Sequence, residues 1–301
     1  MSARSWLFVP GDSDRKLAKI EQCGADVVIL DLEDSVAPEQ KAAARGRVHE
    51  YLSAHAARAT ASGTVRAAPQ LWVRINPLHS ALADDDLDAV APGAPAGIVQ
   101  PKTRSPADTV ALAYRLDELE HGYGLRSGSI RILPIATETP AALFAIGGFE
   151  QVGARLAGLT WGAEDLSTVI GATAAHEADG AWTAPFQFVR SLCLFGAAAA
   201  GVAAIDTLHA DFRDLDGLRG SCGRARRDGF TGKLAIHPDQ VPVINECLAP
   251  TGEELAQARR IVELFAAHPG AAALSLDGRM VDIPHLRLAE KTLARAVTPK
   301  R

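Results

Sequence analysis

Glu138 and Asp165 are the residues of this chain best placed to do chemistry together. Glu138 closes the stretch Arg131-Ile-Leu-Pro-Ile-Ala-Thr-Glu138 and is followed by Thr139-Pro140, an apolar run stopped by a helix start. Asp165 closes Leu156-Ala-Gly-Leu-Thr-Trp-Gly-Ala-Glu164-Asp165, which repeats the plan. Adjacent strands lie ~5 Å apart, so two acids delivered to the same sheet end can reach one ion. Carboxylates with no His or Cys beside them favour Mg2+ or Mn2+ over zinc. The plainer alternative is that each acid only caps the helix after it. The cluster Asp31-Leu-Glu33-Asp34, with Glu164, supplies supporting acids and weighs against that alternative.

Arg74 ends the run Leu71-Trp-Val-Arg74, where a charge on an apolar strand must be paired or functional. Its planar guanidinium suits a carboxylate or a developing enolate oxygen; a structural salt bridge to the Asp31–Asp34 cluster is the other reading. Pro10-Gly11-Asp12-Ser13 turns into a helix carrying Arg15 and Lys16, which with free N–H groups can hold phosphate. Lys102 is either a second anion contact or a Schiff-base lysine. In Ile236-His237-Pro238-Asp239, Pro238 is expected at the first helical position, with His237 as a cap residue or a ligand contact.

These residues need a scaffold that brings strand ends together. Eight apolar runs, at 5–9, 27–31, 71–75, 97–100, 131–135, 157–161, 202–205 and 233–236, read as parallel strands buried on both faces. Helical patterns fall between them at 13–23, 37–57, 105–121, 140–150, 185–199 and 209–228. Eight alternations indicate an α/β fold, a (β/α)8 TIM barrel over residues 1–249, with its reactive strand ends, Asp206 included, at one mouth. An open doubly wound sheet is the structural alternative, weakened by the lack of a GxGxxG after the first strand. After a helix near 239–248, residues 250–301 form an extension: a helix at 252–267, a hairpin over 274–282, and a last helix running from Pro284 to about 297. A C-terminal lid or subunit-crossing arm is expected there.

The net charge of −5 draws the chain to neither nucleic acid nor anionic lipid, so a small molecule is the expected partner. Cys23, Cys193, Cys222 and Cys247 have no zinc-like spacing and read as reduced thiols of a cytoplasmic protein. The opening segment has too short an apolar run for a signal peptide and enters a strand almost at once. The Ala-rich run Leu192 to Ala204 falls short of the ~20 residues of a membrane span and reads as helix, turn and strand.

Phe8-Val-Pro-Gly11, Ile29-Leu-Asp-Leu-Glu-Asp-Ser35, Val73-Arg-Ile-Asn76, Pro101-Lys102, Thr137-Glu138-Thr139, Gly162-Ala-Glu-Asp165 and Ala235-Ile-His-Pro238 together resemble the citrate lyase β-subunit-like group of the HpcH/HpaI aldolase superfamily, which includes malyl-CoA and citramalyl-CoA lyases. The resemblance spans most of the chain in order. It implies a homotrimer or hexamer of TIM barrels that, with Mg2+, cleaves a 3-hydroxyacyl-CoA to acetyl-CoA and a 2-keto acid. It further implies Glu138 and Asp165 as metal ligands and Arg74 as the group polarising the reacting oxygens. Asp282 would be an acid/base reaching a neighbouring subunit's site, and Arg15, Lys16 and Ile236-His237-Pro238 would lie near CoA.

Rival readings within the resemblance are a thioesterase, an aldolase of free hydroxy-keto acids, and a citrate lyase β subunit acting on an acyl carrier protein. A non-catalytic CoA-binding scaffold is the alternative from another class.

Overall fold

The computed structural model describes residues 3–61 and 68–296. Met1, Ser2 and the expected helix end at 297 lie outside the described residues.

The eight strand runs become strands because each is a Val/Ile/Leu-rich segment that must be covered on both faces. They are β1 (Ser5–Pro10), β2 (Val27–Asp31), β3 (Gln70–Arg74), β4 (Gly97–Gln100), β5 (Arg131–Pro134), β6 (Gly158–Thr160), β7 (Ala203–Asp206) and β8 (Gly232–Ala235). All pair in parallel in the order β5-β4-β3-β2-β1-β8-β7-β6. Parallel bridges Ile132↔Leu156 and Ile135↔Thr160 join β5 to β6, so the sheet closes and the open-sheet alternative falls. Ala157 N–H donates to Ile132 O and Ala136 N–H to Thr160 O, each at 2.8 Å, across that seam.

The interior is a packed core rather than a pore. Trp6, Val27, Ile29, Trp72, Leu133, Ile205 and Leu234 fill it, with Trp6 and Trp72 meeting edge to face at 5.0 Å. Trp72 fits because residue 97 is glycine: a Cβ there would stand 2.3 Å from its ring.

Around the strands run α1 (Asp14–Leu17), α2 (Lys41–Ala61), α3 (Ala83–Val90), α4 (Pro106–Gly122), α5 (Pro140–Leu143), α6 (Glu164–Ile170), α7 (Ala184–Ala199), α8 (Leu215–Asp228) and α9 (Gln240–Cys247). The helical patterns are found with three adjustments. The 13–23 segment is a four-residue helix and a separate 3-10 turn, and 140–150 is a short helix and 3-10 turns reaching Arg155. The pattern begun at 209 becomes helical only at Leu215, where Asp214 accepts from Gly217 N–H as the cap. Helix α3 has no counterpart among these patterns, and α6 is the helix expected after Asp165, with Ala163 rather than Asp165 at its N-cap. The run 192–204 is helix, turn and strand, and no helix of the described residues is long and apolar enough to cross a membrane.

Chain contacts separate Ala3–Cys247 from the segment that starts at Leu248. The second unit comprises α10 (Gly252–Ala267), an antiparallel hairpin of β9 (Ala273–Leu276) and β10 (Arg279–Asp282), and α11 (Ile283–Ala296). Its own core holds Ala258, Ile261, Phe265, Val281 and Ala289. Thr251 and Glu254 form a reciprocal capping box at the start of α10. Asp277-Gly278, both at positive φ, makes the hairpin turn.

Candidate active site

Register sets the first half of the site. Asp31 and Arg74 are Cα partners at the ends of β2 and β3, so their side chains project beside one another. Arg74 Nε donates to Asp31 Oδ1 and Nη2 to Oδ2, both at 2.7 Å, a bidentate pair. Its remaining nitrogen Nη1 lies 2.9 Å from Glu33 Oε2, and its guanidinium stands 4.8 Å from the Phe8 ring centroid. Arg74 is therefore both salt-bridged and part of the cavity wall. Burial alone would raise the Asp31 pKa, but the Arg74 pair and the N–H groups of Ser35 and Glu33 outweigh it and hold the carboxyl below its usual value.

The acid loop after β2 is pinned from below. Lys41 donates to Leu32 O at 2.7 Å, Glu33 O at 2.8 Å and Asn76 Oδ1 at 2.9 Å. Asn76 in turn holds Asp86, which takes Arg45 Nε at 2.7 Å. Of these positioning residues only Asn76 stood in a sequence motif, Val73-Arg-Ile-Asn76; Lys41, Arg45 and Asp86 carried no signal, since each acts through main-chain oxygens or residues distant in the chain.

Glu138 and Asp165 form the second half. Glu138 is buried at 5% exposure, while Asp165 is partly exposed on the first turn of α6; both line one cavity. Glu138 does not cap α5, whose N-cap is Thr139 without a side-chain bond. Its Oε2 instead accepts the main-chain N–H of Lys102 at 2.5 Å. Gly162 makes room for it: a Cβ at 162 would stand 3.0 Å from Glu138 Cγ. Burial, joined by the charges of Glu33 and Asp165, pushes the Glu138 carboxyl up to about 8, against the Lys102 hydrogen bond and the Arg74 charge.

Lys102 sits between the halves. Its Nζ donates to Glu33 Oε1 at 2.5 Å and approaches Asp34 at 3.3 Å and Asp165 at 3.6 Å. Burial would lower the Lys102 pKa, yet the Glu33 hydrogen bond and the three acid charges raise it above its usual value. The ammonium is thus held in ion pairs, an arrangement opposite to the lowered pKa that a Schiff-base lysine requires.

The cavity measures about 370 Å³, within the small-molecule range. Besides the acids and Arg74 it is lined by Lys16, Glu164, Trp161, Thr207 and Ile236. Among the expected ligand contacts, Arg15, Lys102, His237 and Pro238 are not on this wall. Arg15 is exposed on α1, and His237 stacks on Phe212 at 4.8 Å. Pro238 is not at the first helical position: α9 begins at Gln240, whose Oε1 accepts the N–H groups of Ile236 and His237 at 2.8 and 3.3 Å and so shapes the loop. Asp206 also departs from the mouth. It turns to the outer layer, where Trp161 Nε1 (2.8 Å), Arg190 Nε (3.2 Å) and Lys233 Nζ (3.1 Å) donate to it.

A magnesium ion fits the residues present. Mg2+ is usually held by one or two carboxylates with substrate and water completing the shell, and Glu138 and Asp165 present two carboxylates to one cavity, while among the described residues no group of three or more His, Cys, Asp or Glu is placed to hold an ion.

Asp282 ends β10 in the C-terminal unit. Its Oδ1 lies 2.5 Å from His285 Nδ1, and that hydrogen bond holds the Asp282 carboxyl below its usual value.

Residues 4–238 match the HpcH/HpaI aldolase/citrate lyase family, and residues 201–298 match a family of C-C bond lyases of the TIM-barrel fold. A citrate lyase subunit beta-like protein of Mycobacterium tuberculosis is 37% identical over 291 residues, covering 97% of this chain and 94% of that protein. The mitochondrial citramalyl-CoA lyase of Rattus norvegicus is 32% identical over 315 residues, covering 99% of this chain and 87% of the enzyme. The crystal structure of CitE from Mycobacterium tuberculosis in complex with magnesium, acetoacetate and coenzyme A superposes with a TM-score of 0.75 at 33% identity, covering 98% of each chain. On this family match and these full-length relatives, the chain belongs to the HpcH/HpaI aldolase/citrate lyase family.

Proposed function

We propose that the chain is a Mg2+-dependent carbon–carbon lyase that cleaves a 3-hydroxyacyl-CoA, such as citramalyl-CoA or malyl-CoA, to acetyl-CoA and pyruvate or glyoxylate. The observation that carries this reading is the convergence of Glu138, Asp165 and Arg74 on one cavity in a chain with full-length citramalyl-CoA lyase and citrate lyase β relatives. Glu138 and Asp165 would hold the Mg2+. The ion supplies a template and Lewis acid for the hydroxyl and carboxylate of the keto-acid half.

Retro-aldol cleavage requires three things of the protein: removal of the hydroxyl proton, acceptance of the bonding electrons as a thioester enolate, and protonation of that enolate at carbon. Arg74, oriented by Asp31, stabilises the oxyanion charge through the guanidinium edge facing the cavity. Asp282 from a neighbouring subunit, its Oδ1 hydrogen-bonded to His285 Nδ1, takes the hydroxyl proton as base and returns it as acid to the acetyl carbon of the enolate. The residue 250–301 extension acts as the lid that keeps water from the enolate. Lys16 and Ile236 on the cavity wall lie on the thioester side, with Arg15, His237 and Pro238 outside it toward the rest of CoA. The assembly is a homotrimer or hexamer in the cytoplasm.

Alanine at Glu138 and at Asp165 is expected to abolish Mg2+-dependent acetyl-CoA release; normal rates in both variants would overturn the assignment. Free CoA with intact hydroxy acid would identify a thioesterase instead.

A further inference from the structure

We infer that Lys102 is the internal counter-charge of the metal site, its main-chain amide orienting Glu138 while its ammonium weakens the site's hold on a divalent cation. The inference rests on the assignment of Glu138 and Asp165 as Mg2+ ligands and goes beyond it by giving a role to a residue outside that ligand pair.

Lys102 follows β4 with φ 50°, in the left-handed region that only a few per cent of non-glycine residues occupy. Such a conformation persists only where the surroundings over-determine it. Here they do. With the backbone so turned, the N–H meets Glu138 Oε2 at 2.5 Å, and the side chain sends its ammonium back to Glu33 at 2.5 Å, Asp34 at 3.3 Å and Asp165 at 3.6 Å. One residue thus touches four acids through two different groups. A cation bound by Asp165 would share that carboxylate's surroundings with the ammonium, and like charges a few ångströms apart repel. The same ammonium neutralises Glu33 and Asp34, which would otherwise draw a cation away from the Glu138–Asp165 position. Because the ammonium is committed to carboxylates, Lys102 is not the free anion contact that its sequence context suggests.

The test is calorimetric titration of the full chain with MgCl2. Lys102→Met keeps an unbranched side chain, one heavy atom shorter, and the amide but removes the charge, and Lys102→Arg keeps the charge. Lys102→Met is expected to bind Mg2+ about tenfold tighter than the parent, with the gain shrinking as NaCl is raised. Lys102→Arg should stay within about twofold. Should the methionine variant fail to fold, Lys102→Gln is expected to show the same tightening. Unchanged or weaker Mg2+ binding in the neutral variants, while Glu138→Gln loses it, overturns the role of Lys102 alone. Parent-like Mg2+ binding in Glu138→Gln overturns the ligand assignment beneath it.

Discussion

A Cβ on Gly162 would stand 3.0 Å from Cγ of Glu138 and 3.2 Å from its Oε1, so the glycine after Trp161 is what lets the Glu138 carboxylate lie where it does. Gly162→Ala should therefore displace Glu138 by a few tenths of an ångström without unfolding the barrel. Turnover is expected to fall about tenfold, since small misplacements at a reacting centre are costly. The melting temperature should hold nearly steady in the same preparation. A large drop in melting temperature with unchanged kcat would show that Gly162 serves packing and not the site.

Glu138 also predicts how Mg2+ binding depends on pH. Its folded pKa is raised from 4.5 to about 8 by burial and the neighbouring acids. In the metal-free chain that shift contributes stability which is fully present below 4.5 and is lost as pH rises through about 8. The ion needs the carboxylate, so below about pH 8 its binding must expel a proton, and affinity should climb with pH and level off above. Titrations in two buffers of different ionisation heat will measure the proton released; release of none, with affinity flat across this range, would contradict the arrangement.

How far the sequence alone reached can be judged residue by residue. All eight strands were legible because each is an apolar run covered on both faces, and β2, Val27–Asp31, is buried throughout. Helix α3 was missed because its first turn is Asp84-Asp85-Asp86. A salt bridge from Arg74 to the Asp31–Asp34 cluster was one of the two readings of the sequence, but that Asp31 takes it bidentately depends on register between residues 43 apart, which periodicity does not encode. Pro238 misled because Gln240, two residues later, ties down the loop through its side chain. Gly162 was visible only as the first residue of the Gly162-Ala-Glu-Asp165 motif, and its role appears only when Glu138 is folded against it.

The support beneath the barrel predicts acid sensitivity. Arg155, 7% exposed, donates to both carboxylate oxygens of buried Glu120, at 3.0 and 2.5 Å, and Glu120 also accepts the N–H groups of Gly128 and Ile130. Although burial opposes it, the Arg155 hydrogen bonds and these amides lower the Glu120 pKa from 4.5 to about 2. That contribution to stability is present above 4.5 and lost as pH falls toward about 2. Glu120→Gln should cost about 1–3 kcal/mol in denaturant unfolding at neutral pH, because Arg155 loses its buried charge partner while keeping Asp117 and Ile130 O. It should also flatten the acid limb of the stability curve; a loss below about 1 kcal/mol would mean the pair is screened like a surface ion pair.

The C-terminal unit gives a separable prediction. Asp282→Ala should lower turnover by about 100-fold or more while leaving Mg2+ affinity intact, as expected for a general acid that is not a ligand. Mixing Asp282→Ala with Glu138→Ala chains should restore part of the activity if Asp282 serves a neighbouring subunit. Full activity in a chain truncated before Leu274 would remove the lid from the mechanism.

The most direct measurement follows acetyl-CoA, free CoA and keto acid together, with citramalyl-CoA and malyl-CoA each offered to the EDTA-stripped chain before and after Mg2+ is restored. Acetyl-CoA in equal yield with pyruvate or glyoxylate, absent in EDTA and regained with Mg2+, is the expected result. Cleavage that continues unchanged in EDTA, or no acetyl-CoA from either thioester with Mg2+ present, would contradict a metal-dependent CoA-ester lyase.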